Sequence, residues 1–169
     1  FRKKSHLFKI IMDYKWKFAK RDALIISKIL EKFKIRQGNI IDVMCGDGRI
    51  AISLSKYGYR VTGIDFSERF INDAVDKARR LRVSSMTKFI CHDVRRIDAL
   101  EFSTKFDAAL LVWSSLGYYS REEDVKLLER INRIVKARGI LIIFDILLKE
   151  SYKPFQLFSI LYHDKYQVY

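Results

Sequence analysis

Residues 40–51 read Ile-Ile-Asp-Val-Met-Cys-Gly-Asp-Gly-Arg-Ile-Ala, an apolar run that two glycines interrupt before apolar residues resume at helical spacing. This pattern predicts a strand, a tight turn and a helix. Glycines at positions 46 and 48 allow the backbone to double back without a Cβ clash and to bring its N–H groups close to a ligand. The stretch therefore indicates a nucleotide or nucleoside ligand at the end of the strand.

A carboxylate ends the next apolar run of the chain. That run covers residues 59–64, and Asp65 follows it. A carboxylate at the end of the second strand can accept both hydroxyls of a ribose. The glycine turn, with Ala51 at its end, also satisfies the relaxed dinucleotide pattern G-x-G-x-x-G/A, so the turn alone does not separate NAD from other adenosine cofactors.

Length and composition predict one globular domain over residues 1–169. The chain has 49% apolar and 14% aromatic residues, enough for one sizeable core. No apolar run approaches the roughly 20 residues of a membrane-spanning helix, so we expect no membrane partner. Cys45 and Cys91 lack paired spacing and the three histidines lack metal-ligand spacing, so we expect a reduced, cytoplasmic protein without a metal site. Because the sequence begins with Phe1, we expect its natural N-terminus to lie further upstream.

Helical spacing predicts two helices, over 6–20 and 22–33, within an N-terminal segment of residues 1–37. Residues 38–148 then alternate between strands and helices. Strands are expected at 40–44, 59–64, 87–91, 106–112 and 140–146, and helices at 49–56, from Ser67 to about Arg82, and from Ser120 to Arg138-Gly139. In the last helix we expect Val125, Leu128, Ile131 and Val135 to face inward.

This alternation predicts an α/β, doubly wound and mostly parallel sheet with helices on both faces. Ligands of such sheets bind beyond the carboxyl ends of the strands. Polar or aromatic residues follow four of the predicted strands there: Asp42 with the glycine turn, Asp65, Asp93, and residues 113–119. Four separate runs thus indicate one site.

The segment Asp-x-x-Cys-Gly-x-Gly-Arg, from Asp42 to Arg49, resembles the first motif of class I S-adenosylmethionine-dependent methyltransferases. Met44 stands where that family usually has another glycine. Ser-Leu-Gly-Tyr-Tyr at 115–119 is similar to the Ser-Phe-Gly-Tyr-Phe-like loop that ends the fourth strand in bacterial and archaeal members. The resemblance extends from about Arg21 to Asp145 and implies a Rossmann-like sheet. Because members usually carry two further strands, we expect residues 149–169 to be an irregular tail of a sheet truncated after strand five.

The resemblance implies S-adenosyl-L-methionine as cofactor and S-adenosyl-L-homocysteine as product. Arg21 would pair with the methionine carboxylate, Asp65 would bind the ribose, and Phe66 would pack on adenine. The remaining implied contacts are Asp42, Cys45, Gly46 and Gly48 around the methionine part, Asp93 and Val94 at the adenine edge, and Trp113 beside the sulfonium. Methyl transfer by in-line displacement needs orientation rather than a nucleophilic side chain. We therefore assign no catalytic residue and take Trp113, Tyr118 and Tyr119 as candidates for positioning the acceptor.

Several functions remain open at this point. A small-molecule methyltransferase is the leading hypothesis. Residues 1–36 hold 12 basic and 3 acidic side chains, or +9 of the overall +13, which favours an RNA methyltransferase as the alternative, although scattered lysines are also typical of solvated amphipathic helices. An NAD-dependent oxidoreductase and an inactive cofactor-binding module are further alternatives. The sequence does not define the oligomeric state.

Overall fold

The computed structural model describes residues 5–113, 115–144 and 159–162, with side chains for residues 9–113 and 115–144. The helices are α1 (Ser5–Lys15), α2 (Ala19–Lys32), α3 (Arg49–Ser55), α4 (Glu68–Arg80) and α5 (Arg121–Ile134). Short 3₁₀ segments cover Trp16–Phe18 and Val94–Ala99. The strands are β1 (Asn39–Val43), β2 (Arg60–Asp65), β3 (Thr87–Cys91), β4 (Phe106–Val112), β5 (Val135–Phe144) and β6 (Ser159–Tyr162).

The strands form one sheet in the order β3-β2-β1-β4-β5-β6. Strands β1 to β5 are parallel, and β6 is antiparallel to β5, with Ile142 opposite Ile160. The predicted α/β, doubly wound and mostly parallel sheet is thus confirmed. Strand β6 lies in the segment for which we expected an irregular tail.

Alternate residues of the central strands bury opposite faces of the sheet. Ile40 of β1 packs with α2 and α3, whereas Ile41 packs with α5 and the 3₁₀ segment Val94–Ala99. Helix α4 packs beside α3 through Ala78 and Ile52. Helices therefore cover both faces, and the carboxyl ends of the strands meet at one edge.

The boundary between α5 and β5 differs from the prediction. The helix ends at Ile134 and β5 begins at Val135, so Arg138-Gly139 does not stop the helix. Gly139 lies in the strand instead, where a Cβ would lie 2.9 Å from the Asp107 carbonyl oxygen, beside a register shift between Phe106 and Ala108. A glycine at such a point is typical of a β-bulge.

The inward face of α5 is also rotated from the expected one. Leu127, Ile131 and Ile134 are buried. Val125 is 48% exposed, Leu128 is half-buried and Val135 belongs to β5. The buried residues Leu127, Ile131 and Ile134 follow the i, i+4, i+7 spacing of one helix face and pack in the core cluster on that face of the sheet.

The N-terminal segment forms the two predicted helices, with a 3₁₀ turn between them. On α2, Ala23, Ile26 and Leu30 are buried. On α1, however, Ile10, Ile11 and Tyr14 are exposed and Met12 is buried. Among the side chains described for α1, those of residues 9–15, Met12 packs on Gly46 of the glycine turn. In the part of the chain that the structure describes, no helix is long and apolar enough to cross a membrane.

Candidate functional site

A cavity lies at the carboxyl edge of the sheet, over the ends of β1, β2 and β4. Eight of the residues predicted for the site line it: Asp42, Cys45, Gly46, Asp65, Phe66, Trp113, Tyr118 and Tyr119. Arg21, Gly48, Asp93 and Val94 lie outside its lining. The structure thus brings together the first two acidic positions, the glycine turn and the aromatic loop after β4.

The turn between β1 and α3 has left-handed backbone at three positions: Met44 (φ +60°), Gly46 (φ +54°) and Gly48 (φ +78°). Met44 occupies the position at which the resembled family usually has glycine. Its left-handed backbone is a conformation that glycine adopts without steric cost. A side chain there costs roughly 1–3 kcal/mol in backbone strain. The Met44 side chain packs against the core on the α5 face of the sheet, which offsets part of this cost.

Gly46 has a left-handed φ of +54°, which favours glycine, and it lies against the end of the Met12 side chain. A Cβ on this residue would lie 2.6 Å from Met12 Cε of α1. The Gly46 N–H donates to Asp65 Oδ2 at 2.9 Å, and the Gly48 N–H donates to the Cys45 carbonyl at 3.1 Å. We expected these N–H groups to approach a ligand, but they bind protein oxygens and hold the turn in shape.

Gly48 makes room for packing on the side away from the cavity. A Cβ there would lie 2.8 Å from Phe89 Cζ and 2.9 Å from Ala74 Cβ. This glycine therefore allows β3 and α4 to pack against the turn, and the cavity is bounded by Gly46 instead.

Asp42 projects from β1 into the cavity lining and is 3% exposed. Its Oδ2 atom is buried and receives no hydrogen bond from any described residue. Burial raises the pKa of Asp42 to about 7, although the Arg49 charge and a hydrogen bond from the Ala51 backbone lower it. A buried carboxylate oxygen without a donor is costly, so this site fits a ligand that brings an N–H or a positive charge.

Asp65 ends β2 and is held by two backbone groups. Its Oδ2 accepts the Gly46 N–H and its Oδ1 accepts the Ser67 N–H, both at 2.9 Å. Burial raises the pKa of Asp65, opposed by these hydrogen bonds, and the Asp47 charge raises it further. A carboxylate has about four acceptor positions, so Asp65 is oriented and retains capacity for hydroxyl donors.

Two arginines share one buried carboxylate beside the cavity. Arg49 Nη1 donates to Asp22 Oδ2 at 2.6 Å, and Arg21 Nη2 donates to Asp22 Oδ1 at 2.9 Å. The Arg49 side chain is buried and lines the cavity, whereas the Arg21 side chain is 56% exposed and lies over the Phe18 ring. Arg49, rather than Arg21, is thus the arginine of the cavity lining, although the motif alone did not assign it to the site.

Asp93 and Val94 follow β3 and do not line the cavity. The Asp93 carboxylate caps the 3₁₀ segment through the Arg95 N–H and binds the Arg95 guanidinium, with Nη2 at 2.7 Å from Oδ2. This side-chain hydrogen bond from Arg95 lowers the pKa of Asp93. Arg95 in turn lies over the Tyr119 ring, and Val94 is buried in the core. Asp93 thus contacts Arg95, and Arg95 contacts Tyr119 of the cavity lining.

Aromatic side chains form the open side of the cavity. Phe66 is 54% exposed and Tyr118 is 51% exposed. Trp113 has left-handed backbone (φ +62°), its N–H donates to the Phe144 carbonyl at 2.8 Å, and Lys15 Nζ lies 5.5 Å from its ring centroid. Burial raises the pKa of both Tyr118 and Tyr119, so their hydroxyls stay protonated at neutral pH.

Cys45 is not a nucleophile in this environment. Burial, followed by the charges of Asp42, Asp65 and Asp47, raises the pKa of its thiol well above the usual value. The thiol therefore stays protonated and has little nucleophilic character.

Several lining residues were not among those predicted: Met12, Lys15, Asp47, Phe70 and Val112. Asp47 could have been predicted, because it lies between the two glycines of the motif that was already assigned to the site. Met12 and Lys15 could not, because nothing in the sequence indicated that α1 crosses the carboxyl edge. Within residues 5–113, 115–144 and 159–162, no group of three His, Cys, Asp or Glu side chains is arranged to hold a metal ion.

Residues 40–139 match a family model described as a methyltransferase domain. Among curated proteins, YqeM of Bacillus subtilis, a presumed methyltransferase, is 34% identical over 133 residues, which are 78% of this chain and 51% of that protein. A presumed methyltransferase of a Geobacillus strain is also 34% identical, over 73% of this chain and 48% of its own length. The chain spans about half the length of these relatives.

Solved structures show the same fold. DesVI of Streptomyces venezuelae superposes with a TM-score of 0.70 at 17% identity, covering 88% of this chain and 60% of DesVI. An S-adenosylmethionine-dependent methyltransferase of Clostridium acetobutylicum has a TM-score of 0.64 at 18% identity, covering 84% and 56% of the two chains. At these identities the similarity shows the fold alone.

Proposed function

Because the chain belongs to the class I S-adenosylmethionine-dependent methyltransferases, we propose that it transfers a methyl group to a small-molecule acceptor and forms S-adenosyl-L-homocysteine. The observation that carries this proposal is the buried, donor-free Oδ2 of Asp42, which lines the same cavity as Asp65 and the aromatic loop after β4. The family provides no support for the NAD-dependent alternative.

The residues of the cavity fit the cofactor. Asp42 offers an acceptor for its ammonium group, and Asp65 offers acceptors for the ribose hydroxyls. The exposed Phe66 ring offers a surface for adenine stacking. For the methionine carboxylate we propose Arg49 in place of Arg21, because Arg49 is a residue of the cavity lining and its guanidinium has donors beyond the one given to Asp22.

When bound, the cofactor supplies a methyl group on a sulfonium for in-line displacement. The chain's own contribution is orientation and exclusion of water. Trp113, Tyr118 and Tyr119 form an aromatic wall suited to a cation and to a flat or apolar acceptor. Because the pKa values of both tyrosines are raised, their hydroxyls donate hydrogen bonds to the acceptor and do not remove its proton at neutral pH.

Calorimetry with S-adenosyl-L-homocysteine tests the cofactor, with NAD as the matched control ligand. We expect the sulfur ligand to bind and NAD not to bind. Asp65→Asn should weaken binding by roughly 3–6 kcal/mol if two hydrogen bonds to a charged acceptor of 1.5–3 kcal/mol each are lost. The same variant should bind the 2′-deoxy analogue about as well as the natural ligand, whereas the wild type should distinguish the two. Equal discrimination by both proteins would contradict the ribose assignment.

Methyl transfer is tested by incubating the protein with cofactor carrying a labelled methyl group and a metabolite mixture, with RNA as a separate arm. Label should appear in the small-molecule fraction. The RNA arm is included because residues 1–36 carry a net charge of +9 and because Lys17, Lys20 and Lys28 are exposed. Label in RNA alone would replace the small-molecule proposal.

A further inference from the structure

Asp47 lies between the two glycines of the turn and connects three elements. It is 1% exposed. Its Oδ2 accepts the Trp16 indole N–H at 2.7 Å and forms an ion pair with Lys77 of α4. Lys77 Nζ also lies 5.0 Å from the centroid of the Trp16 ring. One carboxylate oxygen therefore joins the turn, α4 and the residue that directly follows α1.

The position of Trp16 makes this contact relevant to the cavity. Helix α1 ends at Lys15, and the 3₁₀ turn that begins with Trp16 separates it from α2. Two residues at this end of α1 line the cavity: Met12, packed on Gly46, and Lys15, over the Trp113 ring. Fixing Trp16 thus fixes the end of α1 that covers the cavity.

Among the α1 side chains that the structure describes, those of residues 9–15, other contacts with the core are few. Ile10, Ile11 and Tyr14 are exposed. Lys9 pairs with Asp13 on its own helix and lies 4.0 Å from Asp73 of α4. A short 3₁₀ segment between two helices often marks a hinge. Because most of the apolar side chains described on α1 are exposed, we expect its orientation to depend on Trp16. This residue is held by the buried hydrogen bond to Asp47 and by packing of its ring beside Ile52 and Ala78.

We propose that Asp47 is a positioning residue for the proposed methyl transfer: through Trp16 it holds α1 in place as the roof of the cofactor cavity. The inference rests on the proposed function for its ligand. Asp47 does not need to touch the cofactor for this role. Its pairing with Lys77 compensates the buried charge and leaves the carboxylate able to accept the indole N–H.

The test uses Trp16→Phe, which removes the N–H donor but keeps an aromatic ring near Lys77 and leaves the Asp47–Lys77 pair intact. Hydrogen exchange of α1 amides is measured in the ligand-free protein, and S-adenosyl-L-homocysteine affinity is measured by calorimetry. We expect α1 to exchange at least about tenfold faster and affinity to fall about tenfold, the fold-change of 1.4 kcal/mol in a charge-assisted hydrogen bond. Exchange in α4 and in the sheet should be unchanged, which a general loss of stability would not produce.

Asp47→Asn is the second variant, because it keeps the shape of the side chain and removes its charge. It should reproduce both effects. Asp98→Asn is the matched control, since Asp98 joins α5 to the segment Val94–Ala99 through Arg130 and Arg133, at 3.3 and 3.1 Å, and does not line the cavity. It should leave α1 exchange and affinity unchanged.

The outcomes separate the two proposals. Unchanged α1 exchange in both folded variants would overturn the positioning role of Asp47, whatever the affinity. Faster α1 exchange with unchanged affinity would overturn it as well, because the roof would then not contribute to the site. A wild-type protein that does not bind S-adenosyl-L-homocysteine would instead overturn the proposed cofactor.

Discussion

The Asp42 carboxyl lies inside a parallel sheet, where burial raises its pKa from 3.8 to about 7. A folded-state pKa above the unfolded value means that the protonated form is favoured by folding. The associated stability is fully present below about pH 4 and is lost as the pH rises through 7. At pH 8 the ionised, buried Asp42 therefore lowers the stability of the ligand-free wild type. A ligand that donates a hydrogen bond to Oδ2 would offset this loss.

Asp42→Asn should accordingly stabilise the ligand-free protein relative to the wild type as the pH rises. The relative gain between pH 4 and pH 8 is at most about 4 kcal/mol, from about three units at 1.4 kcal/mol each. Arg49, Asp65 and Cys45 face the group, and the Arg49 charge reduces the gain. Denaturant unfolding at both pH values measures it, with the exposed Asp76→Asn as control.

The affinity for S-adenosyl-L-homocysteine should fall in Asp42→Asn, because a neutral amide binds an ammonium group more weakly than a carboxylate does. A variant that gains no stability at pH 8 and binds as tightly as the wild type would show that Asp42 is satisfied within the protein.

At the residue scale, the places of Asp65 and of residues 113–119 at strand ends followed from periodicity, and their roles came from the family resemblance. The roles of the two glycines could not be separated in the same way. Gly46 faces Met12 and the cavity, and Gly48 faces Phe89 and Ala74. Both facts depend on contacts with elements distant in sequence.

Among the elements, α2 and α3 are joined at Asp22, which is 2% exposed. Asp22→Ala would leave the buried Arg49 guanidinium without this partner. Breaking a buried pair in this way costs roughly 3–5 kcal/mol. Arg21→Ala is the matched control, since it removes an exposed partner of the same carboxylate, for which an effect of about 1 kcal/mol or less is expected. Equal losses in the two variants, measured by denaturant unfolding, would contradict the buried pair between Arg49 and Asp22.

The elements themselves were predictable where local signals agreed. Ser67 caps α4 by accepting the Phe70 N–H, and Ser120 caps α5 by accepting the Glu123 N–H. The end of α5 was not predictable, because Gly139 carries the same local signal for a helix stop as for a bulge. Only the pairing of β5 with β4 decides between them.

For the whole molecule, the doubly wound topology places residues from 42 to 119 at one edge of the sheet. The alternation of strands and helices in the sequence predicted this topology. The place of α1 was not predictable, since an amphipathic helix at the N-terminus can pack on either face or on neither. The N-terminal segment therefore has two separable surfaces: the inner one, with Met12 and Lys15 in the cavity lining, and an outer one with the exposed Lys17, Lys20 and Lys28.

This separation makes the choice between a small molecule and RNA measurable at the scale of the whole chain. A small acceptor held by Trp113, Tyr118 and Tyr119 should give turnover that depends little on salt, and Tyr118→Ala with Tyr119→Ala should lower turnover while leaving cofactor affinity largely intact.

An RNA held by the outer lysines should lose affinity by roughly 10³–10⁵ between 50 and 200 mM salt if about 6–10 phosphates are contacted. Replacing Lys17, Lys20 and Lys28 with Gln is the matched set, because these side chains are exposed and do not line the cavity. We expect the Gln variant to retain the wild-type rate and salt dependence. A steep salt dependence that this variant relieves would decide for RNA.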